Sequence, residues 1–207
     1  MDAKKISGAI LAGGGASRMG GVNKALCPVG GRPMVSRVAD ALAGVFDEVF
    51  VAANDVASFM FLDLAVFSDV EGGLSSLSGL HTALFYAKTS HVFVSPCDAP
   101  FVSPEMIRLI CGAADENDDV VVPRTGLGFE PLCALYSKRC LNPIAARLAA
   151  GRLKLTGFYN SVRVKQISED DLRRIDPLLL SFRNVNTPED LAQVEQLAAQ
   201  GGCTGGS

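Results

Sequence analysis

Apolar residues along the chain fall into short runs that alternate with longer segments of helical spacing. Six runs have the length of a strand, and those near the start and middle are continuous, which is typical of strands buried on both faces. They cover residues 6–11, 48–53, 64–67, 91–95, 120–123 and 132–136. Strands and helices that take turns along a chain predict an α/β fold with a mostly parallel sheet.

Three of the intervening segments carry clear helix signals. Residues 34–46 repeat valine and leucine every three or four positions, which predicts one buried helical face. Residues 103–114 begin with a serine cap followed by proline, and residues 187–190 open the last helix with Thr-Pro-Glu-Asp. Ligands of parallel α/β sheets bind beyond the carboxyl ends of the strands. We therefore expect the chemistry in the polar segments that follow strands, at residues 12–24, 68–79 and 96–101.

The first of these segments, LAGGGASRMGGVNK over residues 11–24, combines glycines with Arg18 and Lys24. Bare backbone amides and two cations suit the oxygens of a polyphosphate. A P-loop is excluded because Gly20 is followed by Gly21 and Val22, and a dinucleotide fingerprint is excluded because Arg18 stands at its third glycine position. The loop therefore favours neither a Walker ATPase nor a Rossmann dehydrogenase.

Composition narrows the function classes further. The chain has 207 residues, 48% of them hydrophobic, and a net charge of −3, which predicts one globular domain over residues 1–199 with a disordered tail at 200–207. Basic residues do not cluster, so we expect no nucleic-acid partner. The apolar start is too short for a signal peptide or membrane span, so we expect no membrane contact and a cytoplasmic location.

Cysteine and histidine usage argues against a metal centre built from these residues. The six cysteines form no C-x-x-C pair, and several lie inside apolar runs, which predicts reduced packing residues. The two histidines are too few for a histidine-based metal site and are interpreted as structural.

Four ordered motifs carry a family resemblance over nearly the whole chain. The loop pattern L-A-G-G-x-x-x-R-M-G-G-x-x-K is followed by SPCDAPF at 95–101, EPLCALY at 130–136 and NVNTPEDL at 184–191. Together they resemble the nucleotidyltransferases that activate small phosphorylated molecules, and most closely the molybdenum cofactor guanylyltransferases. Gly13-Gly14 favours the guanylyl branch, because cytidylyl-transferring relatives usually have L-A-A-G. The resemblance implies the three-layer, Rossmann-type fold of nucleotide-diphospho-sugar transferases.

The resemblance also implies a reaction. GMP passes from GTP, bound with Mg²⁺, to the terminal phosphate of molybdopterin or Mo-molybdopterin, and pyrophosphate is released. It implies transient contacts with cofactor-delivery proteins and molybdoenzymes. Two alternatives remain open: a nucleotidyltransferase that uses CTP or acts on a sugar or polyol phosphate, and a non-catalytic nucleotide-binding domain.

Site residues follow from the resemblance position by position. It implies catalytic roles for Arg18, Lys24 and Asp98, with Asp98 also the Mg²⁺ ligand. Taken alone, Asp98 is a turn-forming aspartate between two prolines. The nucleotide-binding set that the resemblance implies is Leu11, Ala12, Gly13, Gly14, Lys24, Asp69 and Asp98.

Three acidic and amide positions have competing interpretations. Asp69 either contacts the nucleotide or is a loop carboxylate at a strand end. Asn184 and Asn186 alternate along a predicted short strand, where they are candidate acceptor-site or second metal ligands, or else they cap the next helix. The acceptor pocket is expected around residues 124–131 and 184–186.

The chain departs from the family pattern at a few positions. Residues 75–79 read SSLSG where many relatives have G-P-L-A-G. Ala52 stands where a relative often has asparagine, although Asn54 remains, and Asn23 replaces the usual aspartate before Lys24. The first two departures weaken the assignment of the base more than that of the reaction.

Overall fold

The computed structural model describes residues 6–13, 18–19, 22–70 and 75–201. The described strands are β1 Ile6–Leu11, β2 Arg18–Met19, β3 Val22–Asn23, β4 Pro28–Val29, β5 Arg32–Pro33, β6 Val49–Ala52, β7 Ala65–Phe67, β8 His91–Pro96, β9 Val120–Thr125, β10 Gly128–Phe129, β11 Ala134–Ser137 and β12 Val164–Ile167. The described α-helices are α1 Met34–Ala43, α2 Ser76–Tyr86, α3 Pro104–Gly112, α4 Leu141–Ala149, α5 Glu169–Arg173 and α6 Pro188–Gly201. Residues 202–207 of the predicted tail lie outside the described residues.

One eight-stranded sheet organises the chain. Its order is β7-β6-β1-β8-β11-β9, and both β10 and β12 also pair with β9. Strand β1 is parallel to β6 and β8, and β12 is parallel to β9, whereas β11 runs antiparallel to its two neighbours. The mostly parallel sheet predicted from the apolar runs is therefore confirmed.

Helices cover both faces of the sheet and create the three layers. Ile6 and Ile10 of β1 pack into a core on the side of α1 and α3. Ala9 and Leu11 pack into a second core, on the side of α2 and α4. Neighbouring residues of a strand point to opposite faces, so a strand with two covered faces is mostly apolar, as the first run of the sequence is apart from Ser7.

The local signals read from the sequence appear in the structure with small shifts at the ends. Ser103 accepts a hydrogen bond from the Met106 amide at 3.1 Å, with Pro104 in the first turn of α3. Helix α1 ends at Ala43 rather than at residue 46. The predicted strand through residues 184–186 is wrong, because this segment is not part of the sheet.

The described cysteines are free thiols, as predicted, and most are buried. Burial raises the pKa of the Cys97, Cys111 and Cys140 thiols to about 12, so they stay protonated near neutral pH. Cys203 lies outside the described residues. No helix in the described part of the chain is long and apolar enough to cross a bilayer.

His91, at the start of β8, predicts a pH-dependent stability. Burial, assisted by the charge of Arg139, lowers the pKa of His91 below 6.5. Above pH 6.5 the imidazole is neutral in both folded and unfolded chains; below it the unfolded chain binds the proton more readily. The free energy of unfolding should therefore fall as pH drops below 6.5, by at most about 1.4 kcal/mol per pH unit from this residue.

Chemical denaturation at several pH values would test this expectation. His91→Gln removes the titrating ring while keeping a polar side chain beside Ser90, whose hydroxyl lies 3.0 Å from Nδ1. The difference in unfolding free energy between the original chain and the variant should change with pH below 6.5. Parallel curves for the two proteins would show that His91 does not contribute.

Candidate functional site

The strand order reverses between β1 and β8, and this reversal defines the candidate site. From β1 the chain proceeds through α1 to β6 on one side, and later returns to pair β8 with the other side of β1. Leu11 is aligned with Pro96, and the Cys97 amide donates to the Leu11 carbonyl at 3.1 Å. The segments beginning at Ala12 and Asp98 therefore leave the sheet side by side. Such a switch point is where open α/β sheets bind ligands.

A cluster of Lys24, Asp98 and Asn186 lies at this edge, in which Lys24 and Asp98 are buried and Asn186 is exposed. Lys24 Nζ is 2.5 Å from Asp98 Oδ2, and the two side chains are only 8% and 10% exposed. The same Nζ donates to Asn186 Oδ1 at 3.0 Å, across 162 positions of sequence. The structure thus brings together three of the residues proposed from the sequence.

Lys24 is placed by a short 3-10 turn, Lys24–Leu26, that follows β3. Asn23 caps this turn, since its Oδ1 accepts from the Ala25 amide at 3.1 Å. The Cys27 amide donates to the Lys24 carbonyl at 3.0 Å and fixes the turn from its other end. Asn23, a departure from the family pattern, therefore keeps the capping role that an aspartate would also fill.

The segment before α6 joins the cluster through its backbone as well. The Val185 amide donates to the Asp98 carbonyl at 3.0 Å. The amides of Asn186 and Thr187 both donate to Asp190 Oδ2 at 3.0 Å, which ends the extended segment where α6 begins. Asn186 therefore contacts Lys24 through its side chain and belongs to the start of α6 through its amide. Asn184 is half-buried beside it.

A small third core holds these segments together. It contains Val29, Met34, Val185 and Val194, with Phe101 and Leu191 among the residues packed against it. Val185 stands between the two asparagines, and Phe101 follows the loop of Asp98. The polar cluster therefore rests on an apolar base to which each of its segments contributes.

Asp69 lies at the same edge of the sheet but not in this cluster. It follows β7, three strands from β8, which corresponds to about 14 Å at the usual strand spacing. Its Oδ2 accepts from Ser78 Oγ at 3.1 Å and from Asn54 Nδ2 at 3.3 Å, and its Oδ1 accepts from Thr82 Oγ1 at 3.3 Å. Asp69 and Asp98 thus lie on opposite sides of the carboxyl end of β1.

The serine-rich departure at residues 75–79 has a structural consequence. Ser75 and Ser78 form a capping box at the start of α2. Ser78 is also the residue that approaches Asp69, so a hydroxyl at this position connects the helix start to the end of β7. This segment keeps a defined backbone without the proline that many relatives have.

A second group of polar residues lies further along the same edge, at the end of β9. Leu135 on β11 is paired with Phe93 of β8 and with Val121 of β9. Strands β8 and β9 both run antiparallel to β11 and are therefore parallel to each other. Pro96 and Arg124, each three residues further along its strand, lie at the same level of the sheet. Two strand spacings, about 10 Å, separate them. A cavity of about 370 Å³ opens here, lined by Arg124, Thr125, Gly126, Gln166, Ile167, Ser168 and Glu169.

Arg124 presents a flat guanidinium at this cavity. Its Nη1 donates to Gln166 Oε1 at 3.2 Å, and its Cζ lies 5.5 Å from the centre of the Phe129 ring. Nearby, Glu130 accepts from Thr125 Oγ1 at 2.9 Å, and burial raises the pKa of the Glu130 carboxyl. The sequence analysis does not identify Glu130 as a candidate site residue. The feature that could have identified it is a carboxylate just before the apolar run that becomes β11.

The side chains at the switch point suit a metal ion that takes one ligand from the protein and most of its ligands from substrate phosphates and water. Among the described residues, no three or more His, Cys, Asp or Glu side chains lie close enough to hold a metal by themselves. Asp98 offers one buried carboxylate. Mg²⁺ is typically held by one or two carboxylates, with phosphates and water completing its coordination. Gly14 and the side chain of Arg18, both predicted site elements, lie outside what the structure describes.

Comparison with known proteins gives consistent matches. A family model for the MobA-like NTP transferase domain matches residues 8–163. The molybdenum cofactor guanylyltransferase of Desulfosudis oleivorans is 42% identical over 195 residues, which are 94% of this chain and 96% of that protein. A protein of Pelotomaculum thermopropionicum named as a probable molybdenum cofactor guanylyltransferase is 41% identical over 94% of each chain.

A solved structure supports the fold independently. The molybdopterin-guanine dinucleotide biosynthesis protein A of Archaeoglobus fulgidus superposes with a TM-score of 0.82 at 24% identity. The match covers 94% of this chain and 99% of that one. The three-layer α/β fold expected from the sequence is therefore the fold of this solved structure.

Proposed function

Because the chain belongs to the molybdenum cofactor guanylyltransferase family, we propose that it transfers GMP from Mg²⁺-bound GTP to the terminal phosphate of molybdopterin or Mo-molybdopterin. The observation that supports this most directly is the buried Lys24–Asp98 pair at the switch point, beside the glycine-rich loop. The pair supplies a cation for phosphate and a carboxylate for a metal at the place where the fold binds ligands.

The reaction is a displacement at the α-phosphorus of GTP. An oxygen of the acceptor phosphate forms a bond to this phosphorus while the bond to the oxygen bridging the α- and β-phosphates breaks, and pyrophosphate leaves. No covalent bond to the protein is needed, and the buried, protonated cysteines offer no nucleophile. The protein's task is therefore alignment and neutralisation of charge.

Lys24 and the loop after β1 would bind the triphosphate. The Ala12 amide donates to the Ala52 carbonyl at 2.9 Å, so the amides of the glycines that follow it would donate to the phosphate oxygens, and Arg18 and Lys24 would balance their charge. Asp98 would hold the Mg²⁺ ion, which when bound polarises the phosphoryl oxygens as a Lewis acid. Lys24 and the metal would both be attracted to the Asp98 carboxylate, and we expect Lys24 to turn at least partly from Asp98 toward the phosphates when the nucleotide binds.

Asp69 would contact the nucleotide from the other side of the loop. Its carboxylate is oriented by the hydroxyls of Ser78 and Thr82 on α2, which supports a fixed position for it. Family resemblance is the basis for this role.

The acceptor would extend toward the end of β9. The cavity beside Arg124 is on the same sheet edge, and its volume of about 370 Å³ lies in the usual range for small-molecule sites, roughly 300–1,000 Å³. A flat heterocycle with amino and N–H donors would find the Gln166 and Glu169 oxygens and the Arg124 plane there. We assign this cavity to the part of molybdopterin furthest from its phosphate.

An assay with four labelled nucleoside triphosphates tests the proposal. Each is incubated with the protein and Mg²⁺, with and without molybdopterin, and pyrophosphate and dinucleotide are measured. We expect both products with GTP only, and only when molybdopterin is present. Product from CTP, or from a sugar phosphate in place of molybdopterin, would identify the alternative transferases. Nucleotide binding without any product would identify a non-catalytic module.

A further inference from the structure

Arg37, on α1, carries a charge that no carboxylate in the described part of the chain neutralises. Its Nε donates to the Pro100 carbonyl at 3.4 Å and its Nη1 donates to the Val29 carbonyl at 3.3 Å. The guanidinium also lies over the Phe101 ring, 5.9 Å from its centre. Gly30, with a φ of +59°, forms the turn beside it, where a Cβ atom would approach Nη1 to 3.3 Å. All of these partners belong to backbone segments or to an aromatic ring.

The two carbonyls belong to the segments that carry the buried ion pair. Val29 follows Lys24 through the turn that the Cys27 amide closes onto the Lys24 carbonyl. Pro100 follows Asp98 in the loop that begins at the carboxyl end of β8. One guanidinium therefore connects the segment of Lys24 to the segment of Asp98, from outside the cluster.

We propose that Arg37 is a positioning residue that fixes the separation of Lys24 and Asp98 for transfer; this inference rests on the function proposed above. Arg37 touches neither residue of the pair and acts through Val29 and Pro100. Arginine suits the task because its planar fork presents several donors at fixed angles and stays charged at any physiological pH. Charge-assisted bonds to carbonyls are also stronger than neutral ones. Alignment of reacting groups is sensitive to such support, since a displacement of about 1 Å can cost on the order of a hundredfold in rate.

The chain provides a matched control close by. Arg32 lines the same cavity of about 440 Å³ as Arg37, but it is paired with Asp40, at 2.8 Å. Replacing Arg32 with methionine removes the same charge near the same surface without disturbing the Val29 and Pro100 contacts. It separates a positioning effect from a general change in the local field.

The experiment compares Arg37→Met, Arg37→Lys and Arg32→Met in two assays. Steady-state kinetics give kcat and KM for GTP and for molybdopterin, and electron paramagnetic resonance gives the affinity of the GTP complex for Mn²⁺. Arg37→Met should lower kcat by about 10- to 100-fold with smaller changes in either KM, and should weaken Mn²⁺ binding. Arg37→Lys should recover part of both losses, because its ammonium reaches one carbonyl, and Arg32→Met should match the original chain.

Unfolding temperature and circular dichroism are recorded for each variant. If Arg37→Met does not fold, Arg37→Gln, which keeps one donor group, replaces it. Equal kcat and Mn²⁺ affinity in the Arg37 and Arg32 variants would overturn the positioning role while leaving the proposed function intact. An original chain that makes no dinucleotide would instead overturn the proposed function, and Mn²⁺ binding would still report whether Arg37 supports Asp98.

Discussion

Replacing Asp98 with asparagine should lower the rate of GMP transfer by at least about a hundredfold. Asparagine has nearly the same shape, so the Val185 amide can still donate to the backbone carbonyl of residue 98. What is lost is the negative charge that would hold Mg²⁺ and that neutralises Lys24 at 2.5 Å. The loss should appear in kcat, because the metal stabilises charge that develops as pyrophosphate leaves.

The same substitution leaves Lys24 buried without its counter-ion. Breaking a buried pair from one side typically costs about 3–5 kcal/mol of stability, so folding must be measured beside activity. Calorimetric titration with GTP separates the two effects, since a folded variant that binds GTP but makes no dinucleotide has lost chemistry alone. A non-catalytic module would lose little beyond metal affinity.

Asp63→Asn is the matched control for this experiment. Asp63 is exposed and precedes β7, at the opposite edge of the sheet from Asp98. Its φ of +54° is a conformation that asparagine adopts readily. Transfer by Asp63→Asn should equal that of the original chain, and an Asp98→Asn variant with the same rate would remove Asp98 from the mechanism.

Much of the scaffold could be predicted because its signals are local. The nearly continuous apolar runs identify β1 and β8, since a strand covered on both faces has few polar positions to break the run. The serine and proline before α3 mark its start for an equally local reason, the unpaired amides of a first helical turn. Once the strands are known, the rule that ligands bind at carboxyl ends directs attention to Ala12 and Asp98, and the structure has both just beyond the ends of β1 and β8.

The arrangement inside the site could not be predicted in the same way. The contact of Lys24 with Asn186 spans nearly the whole chain, and no local pattern records it. The sequence predicts for Asn186 either an acceptor-site or second metal ligand on a short strand, or a cap of the next helix. It does not predict that the side chain contacts Lys24 or that the segment lies outside the sheet. Arg37 has no sequence signal at all, because its partners are backbone carbonyls and every residue has one.

Lys24→Met should lower transfer by on the order of a hundredfold or more, since it removes a cation that would stabilise charge on the triphosphate. The variant should also bind a divalent metal more tightly in the absence of nucleotide. Without Lys24, the Asp98 carboxylate is left buried and has no ion pair with any other described side chain, so a divalent metal can take that place. We therefore expect nucleotide-free Lys24→Met to bind Mn²⁺ more tightly than the nucleotide-free original chain does.

Two measurements on one pair of variants decide this expectation. Lys88→Met is the control, because Lys88 is 88% exposed and its contact with Glu48, at 3.6 Å, is at the surface. Dinucleotide formation should fall only in Lys24→Met, and Mn²⁺ bound without nucleotide, counted by electron paramagnetic resonance, should rise only there. Unchanged turnover would refute the role of Lys24 in phosphate binding. Lost turnover with unchanged Mn²⁺ binding would instead mean that the ammonium does not compete with the metal for Asp98, because both can share the carboxylate through its two oxygens.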